Sequence, residues 1–376
     1  MTRPLILCVV GARPNFMKIA PVIRALQRPD SGVETCLLHT GQHYDADMKT
    51  SFFDQLQIPE PEVDLGVGSG SHAQQTAEIM LRFEPVLERL APAAVLVVGD
   101  VNSTIACSLV AAKRGLPVFH VEAGLRSGDR AMPEEINRIL TDQLSDLLFT
   151  TERGAAENLH REGIAPEKIV FAGNVMIDTL RFNLDRATPA AQILRAAGWA
   201  DSPRPAYGLL TLHRPSNVDD PATLKRLIRV LGELSEDLPL VFPVHPRTRK
   251  QIDAAGLQDA LRASRITTLG PQAYLEMLGL MRDATVVLTD SGGIQEETTA
   301  LGVPCITLRD STERPITVSE GTNTIVGTDP DKIRAAFSAA VGRDGGAGRV
   351  PEYWDGHAAE RIAAAIDTWF GRARAA

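Results

Sequence analysis

Short apolar runs recur along this chain, and each ends in a polar turn that leads into a helical stretch. In the first half they fall at residues 4–10, 34–39, 94–99, 116–120, 146–150 and 168–172. In the second half they fall at 207–212, 238–244, 266–269, 286–288 and 303–308. Runs this short and rich in β-branched residues read as buried strands. Strand and helix alternating throughout leaves little choice of fold. Each return to a parallel neighbour needs a crossover, and the helices cover both sheet faces. The chain is therefore expected to be α/β, with two doubly wound, Rossmann-like domains whose strand ends face a cleft. Its 376 residues suit two domains. The expected bounds are 1–180 for the first domain and 200–355 for the second. A weakly patterned linker lies before the second, and a C-terminal helix over 356–376 has one apolar face, with Ile362, Ile366, Trp369 and Phe370. That face is expected to pack back across the domain junction.

Open sheets of this kind bind ligands at the carboxyl ends of their strands. The motifs sit there. In Val286 to Glu297, a strand runs into Asp290-Ser291-Gly292-Gly293 and then a helix. Two glycines allow a tight turn and a close approach by a ligand. The free N–H groups and positive dipole end of the helix suit a phosphate. Glu296 and Glu297 fall near the first turn, where a carboxylate can reach past the phosphates to a sugar diol. On these residues the site is read as one for a nucleoside diphosphate. An ordinary glycine-bearing strand-to-helix turn is the plainer alternative.

The first strand ends in Gly11-Ala12-Arg13-Pro14 with Lys18 one turn on, so Arg13 and Lys18 place two cations at one glycine turn. Either could be a solvated surface charge. Asp100 follows the strand at 94–99 and could serve as an acid, a base or a helix cap. Glu122 lies just past the next strand. Pro133-Glu134-Glu135 opens a helix, with Glu134 a candidate for the cleft and Glu135 a candidate for the helix dipole alone. Three acids converging on one sheet edge would repel one another and shift some of their titrations, as acid–base work requires. In the second half, His213 stands at a strand end beside Arg214, and Arg314 is a further candidate phosphate cation. A histidine that only caps its loop is the alternative for His213.

The totals narrow the function. A net charge of −8 argues against general nucleic-acid binding, yet a few focused cations can still bind phosphate. The four cysteines, Cys8, Cys36, Cys107 and Cys305, are far apart in apolar segments and read as buried, reduced thiols. No metal cluster or dinucleotide fingerprint is evident, so no metal or cofactor is expected. The apolar run at 5–10 is short for a signal peptide, and no stretch approaches a membrane span. A cytoplasmic protein without membrane or nucleic-acid partners is the expectation.

Taken together, these motifs resemble the non-hydrolysing UDP-N-acetylglucosamine 2-epimerases. The likeness rests on Gly11-Ala12-Arg13-Pro14, Gly41-Gln42-His43, Gly99-Asp100 and the run from His120 to Ser127. It extends through Pro133-Glu134-Glu135-Ile136-Asn137-Arg138, His213-Arg214, Asp290 to Glu297 and Thr312-Glu313-Arg314-Pro315. The resemblance implies a glycosyltransferase-B type arrangement of the two domains. It implies interconversion of UDP-N-acetylglucosamine and UDP-N-acetylmannosamine through elimination of UDP to 2-acetamidoglucal and re-addition. Asp100, Glu122 and Glu134 would be the acid–base carboxylates, with His213 assisting UDP departure. Arg13, Lys18, Ser291, Gly292, Gly293 and Arg314 would hold UDP, Glu297 the ribose, and Gln272 and Met277 the uracil. The family resemblance also implies a homodimer. Members regulated by a second substrate molecule use an arginine where this chain reads Gly68-Ser69-Gly70-Ser71-His72, so simple saturation kinetics are expected. A hydrolysing epimerase, a glycosyltransferase and a non-catalytic nucleotide-sugar sensor are the competing readings.

Overall fold

A computed structural model describes residues 3–41, 56–200, 202, 206–342 and 349–375, with the side chains of Arg13 and residues 373–375 outside that description. The chain forms two compact units, residues 1–182 with 352–376, and residues 183–351.

The first unit is built on a seven-stranded parallel sheet of order β3-β2-β1-β4-β5-β6-β7. Its strands are β1 (Leu5–Val10), β2 (Glu34–His39), β3 (Val63–Asp64), β4 (Ala94–Val98), β5 (Val118–Ala123), β6 (Leu147–Thr150) and β7 (Ile169–Phe171). The order reverses between β1 and β4, which hydrogen-bond side by side. The second unit has six parallel strands in the order β10-β9-β8-β11-β12-β13. These are β8 (Gly208–Thr211), β9 (Leu240–Pro243), β10 (Ile266–Leu269), β11 (Val286–Thr289), β12 (Cys305–Thr307) and β13 (Asn323–Ile325). Here the reversal lies between β8 and β11. A reversal splays the neighbouring loops apart and opens a crevice at the strand ends.

Sheets covered on both faces need strands that are apolar throughout. β4 meets this fully, with Ala94, Val95, Leu96, Val97 and Val98 all buried. The helix Asn102–Lys113 is buried almost all round. The second unit's core gathers Leu210, Leu227, Leu231, Phe242, Leu288 and Phe337.

The C-terminal helix Ala358–Ala375 belongs to the first unit. Its first two backbone N–H groups, of Ala358 and Ala359, donate to the Asp178 carboxylate. Its aromatic end packs on the sheet, with the Trp369 and Phe119 rings 5.2 Å apart, edge to face.

Three local features differ from the sequence reading. β3 and β13 are short edge strands where the sequence reading assigned no strand. The weakly patterned linker region contains the helices Val175–Leu184 and Ala190–Ala196. Most consequential, β5 does not stop at His120. It continues through Glu122 to Ala123, and its register against β6 shifts between Val121 and Ala123.

Candidate functional site

At the reversal in the first unit, the turns after β1 and β4 are tied together by one side chain. The Ala12 N–H donates to Asn15 Oδ1 at 2.9 Å, and Asn15 Nδ2 donates to the Val98 carbonyl at 2.8 Å. Lys18, one helical turn further, puts Nζ 2.7 Å from the Glu122 carboxylate. Glu122 is the extra residue of the bulge in β5, and its φ is +74°. A non-glycine side chain in the left-handed region costs on the order of 1–3 kcal/mol. Here that backbone directs a 4%-exposed carboxylate at a buried ammonium. Gly99, between β4 and Asp100, has φ +67°. A Cβ there would lie 2.9 Å from Lys18 Nζ and 3.1 Å from Asn15 Nδ2. Lys18, Gly99, Asp100 and Glu122 thus come together at one switch point.

Asp100 does not cap the helix that follows. The cap residue is Val101, without a side-chain bond. The Asp100 carboxylate instead takes Nε of Arg138 at 2.9 Å and Nη2 at 2.8 Å. Asn137 Nδ2 donates to the Asp100 carbonyl at 2.9 Å. Arg138 also donates to Glu135 at 2.6 Å. Glu135 is buried and accepts from the Ser127 and Gly128 N–H groups at 3.0 and 2.9 Å. Burial works against its charge, but these bonds and Arg138 hold its carboxyl below the usual range. Glu135 therefore does more than favour the helix dipole: it closes the loop ahead of its helix. Glu134 stays half-buried on the first turn, outside that network. The mutual repulsion expected of the acids is met by two cations, Lys18 for Glu122 and Arg138 for Asp100.

The second unit is organised by Asp290, fully buried at the end of β11. Its carboxylate accepts from the backbone N–H groups of His213 (3.0 Å) and Arg214 (3.0 Å) and from Asn217 Nδ2 (3.2 Å). It also lies 2.9 Å from His213 Nδ1. Burial again opposes the charge, and the His213 bond and the backbone N–H groups outweigh it, keeping Asp290 below the ordinary aspartate range. An ionised carboxylate only accepts, so Nδ1 of His213 is the donor and Nε2 is left for other work. The His213 side chain is 38% exposed.

Ser291 caps the helix Gly292–Leu301 without a side-chain bond, and Ser291, Gly292 and Gly293 are partly open. Neither glycine has a positive φ. A Cβ on Gly293 would meet nothing within 4 Å, and one on Gly292 would touch only Glu313 Oε2 at an ordinary 3.7 Å. The unit's own packing gives no reason for two glycines here. The paired acids behind them part company. Glu296 takes Arg314 Nε at 2.8 Å, both groups nearly buried. Glu297 accepts from the Tyr274 hydroxyl at 3.1 Å. Burial is the main influence on Glu297 and raises its carboxyl to about 7, with the Tyr274 bond opposing and Glu296 adding to the rise. Gln272 donates to the Gly270 carbonyl at 3.0 Å, and Met277 lies half-buried on the helix Tyr274–Arg282.

The structure thus gathers Ser291, Gly292, Gly293, Glu297 and Arg314 around one helix, with His213 tied to the strand before it. The Arg13 side chain, and Gln42 and His43, lie outside the described residues. Sequence reasoning gave no role to Asp290, Arg138, Asn15 or Tyr274. Arg138 carries a signal in hindsight, three residues after Glu135 on one helix. Asp290 directly after a strand carries another.

The fold and these turns define a class: an α/β protein of two doubly wound units, each with charged groups at its switch point. A family model described as UDP-N-acetylglucosamine 2-epimerase matches residues 24–367. The UDP-N-acetylglucosamine 2-epimerase of Methanocaldococcus jannaschii is 44% identical over 338 residues, covering 89% of this chain and 92% of that one. The UDP-2,3-diacetamido-2,3-dideoxy-D-glucuronate 2-epimerase of Pseudomonas aeruginosa is 41% identical over 364 residues, 95% and 98% of the two chains. Among solved structures, the M. jannaschii enzyme in complex with UDP-GlcNAc and UDP superimposes with a TM-score of 0.85 at 40% identity, covering 97% and 99%. That from Neisseria meningitidis bound to UDP-GlcNAc gives 0.84 at 31%, covering 98% and 100%. The chain belongs to the UDP-N-acetylglucosamine 2-epimerase family.

Proposed function

We propose that this enzyme interconverts UDP-N-acetylglucosamine and UDP-N-acetylmannosamine without releasing free sugar. The observation that carries the reading is the pair of glycines at 292 and 293, which the fold does not require and a diphosphate does. Backbone N–H groups at that helix start, with Arg314, Arg13 and Lys18, would hold the phosphates. Glu297 would take the ribose hydroxyls, and Gln272 and Met277 the uracil.

Carbon 2 of the sugar has no adjacent carbonyl, so direct deprotonation there is unfavourable. Elimination avoids this. One carboxylate of Asp100, Glu122 and Glu134 takes the carbon 2 proton, and that C–H pair forms the C1=C2 bond. The C1–O bond breaks, and its electrons leave with UDP, whose charge the helix terminus and cations stabilise. His213 donates to or orients the departing diphosphate. The retained UDP then attacks carbon 1 of 2-acetamidoglucal while a second acid protonates carbon 2 on the other face. The left-handed backbone at Glu122 supports this part, because strain of that kind collects where a group must be aimed.

Incubation with UDP-N-acetylglucosamine in deuterium oxide tests the proposal. Deuterium should enter at carbon 2 only, both epimers should appear, and free N-acetylmannosamine should not accumulate. Accumulating free sugar would favour the hydrolysing alternative. The name of the Pseudomonas relative makes UDP-2,3-diacetamido-2,3-dideoxy-D-glucuronate the competing substrate to run beside it. A homodimer is part of the proposal. Leu81 (68% exposed), Ile136 (44%) and Leu140 (48%), on two helices of the first unit, support it as uncovered apolar side chains. Light scattering after gel filtration measures the state.

A further inference from the structure

His120, on β5, is completely buried, and both its ring nitrogens are engaged. Nε2 lies 2.9 Å from the Gly99 carbonyl oxygen, and Nδ1 lies 2.7 Å from Asp142 Oδ1. A carbonyl oxygen can only accept. Asp142 is also buried, and its second oxygen accepts from the Gly124 N–H at 3.1 Å and Arg126 Nη2 at 2.7 Å. Two donors on one oxygen, one of them a guanidinium, mark an ionised carboxylate. Asp142 is then an acceptor as well. A neutral imidazole has one N–H, so only the imidazolium satisfies two acceptors. Behind Asp142, Arg126 donates to both oxygens of Glu162 at 2.8 and 2.6 Å. His120, Asp142, Arg126 and Glu162 alternate in sign, which lets a cationic ring sit in the core.

The carbonyl that His120 holds belongs to the Gly99–Asp100 peptide. The same glycine's N–H donates to the Val121 carbonyl at 3.0 Å, so the turn is pinned on both sides. The turn after β1 is held similarly. On β2, His39 Nε2 lies 3.3 Å from the Gly11 carbonyl, and Nδ1 lies 3.3 Å from Asp64. The two turns flanking the reversal are thus each gripped by a histidine on the outer neighbouring strand, backed by an aspartate from another element: Asp64 on β3, and Asp142 on the helix Pro133–Leu144.

We propose that His120, doubly protonated in the core, is a positioning residue for the epimerisation: it fixes the Gly99–Asp100 peptide and so the Asp100 carboxylate. This rests on the reading of Asp100 and Glu122 as acid–base groups. Two measurements test it. In the full chain labelled with nitrogen-15 at its eight histidines, NMR should show a ring with two slowly exchanging N–H protons that disappears in H120Q, whatever the His39 ring shows. A single ring N–H at His120 overturns the proposal. In carbon 2 exchange assays, H120L should lower kcat about 100-fold, the scale of a small misplacement at a reacting centre, with KM changed less than about threefold. H120Q keeps an amide donor where Nε2 stood, and its kcat should lie within about tenfold of wild type. A purely structural role would give folded H120L and H120Q the same kcat. Equal kcat in the two, or wild-type kcat in H120L, overturns the proposal. If neither variant folds, the wild-type ring spectrum decides, together with loss of one ring proton in D142N. Two ring protons in a wild-type chain that exchanges nothing at carbon 2 would refute the reaction, and with it the positioning role, while leaving the clamp standing.

Discussion

Gly99 and Gly293 both follow the strand where their sheet reverses, Gly99 in the turn and Gly293 at the start of a helix, yet opposite physics governs them. Gly99 is required by its own unit. Its φ is +67°, and a Cβ would press on Lys18 and Asn15. Gly293 has ordinary helical backbone and open space where a Cβ would go. The first turn is crowded because it assembles side chains: Asn15, Lys18, Asp100 and Glu122, with Arg138 behind. The second is bare because it offers backbone. On the proposed reading this difference is expected: a carboxylate that moves protons must be aimed by neighbours, whereas a helix terminus that receives a phosphate needs only to be uncovered.

The comparison can be broken in several ways. The largest effect should come from the first unit. D100N and E122Q should each lower kcat by about 10²–10⁴, the range for a lost acid–base group. UDP affinity, measured by calorimetry, should hold within about threefold, because the groups assigned to the phosphates and uridine remain. A parallel loss of UDP binding would end the division of labour. Next comes D290N, which removes the acceptor that sets the His213 tautomer. We expect kcat to fall about 100-fold, less than for the acids, since His213 remains present but disoriented. Unchanged turnover in D290N would remove His213 from the mechanism.

Stability against pH gives the third. The Glu297 carboxyl titrates near 4.5 when unfolded and about 7 when folded. Its contribution to stability is therefore full below pH 4.5 and is lost as pH rises through 7, by roughly 3 kcal/mol. E297Q should flatten urea-unfolding stability between about pH 4.5 and 7, the window set by those two values. An unaltered slope would mean that Glu297 is not the group responsible. The smallest effect separates the glycines directly. G99A should destabilise by about 1–3 kcal/mol from backbone strain. G293A should leave stability equal or raised by up to about 1 kcal/mol, as alanine for glycine does in a helix. It should still weaken UDP binding, because its methyl stands where a phosphate must approach. A G293A protein that binds UDP normally would refute the phosphate assignment.

The α/β class and most strands were legible in sequence because a strand buried on both faces must be apolar along its length, a one-dimensional signal. The short edge strands β3 and β13 were not, since two or three residues carry too little pattern. That Asp100, Glu122 and Ser291-Gly292-Gly293 stand at sheet edges could be read for a related reason. In a doubly wound sheet, whatever follows a strand's carboxyl end is presented at one edge. Their partners could not be found that way. Arg138 reaches Asp100 across 38 residues, and Asp290 reaches His213 across 77. Sequence left Asp100 open between capping and chemistry, and Glu134 and Glu135 indistinguishable. Three-dimensional packing separated them, giving Arg138 to Asp100 and the loop N–H groups to Glu135. Nor does any local pattern announce that β5 bulges at Glu122 or that His120 faces two acceptors. By itself the chain determined which residues stand at the strand ends, because alternation and polarity are local properties. Only the tertiary structure decided which charge answers which, because pairing depends on distances that folding creates.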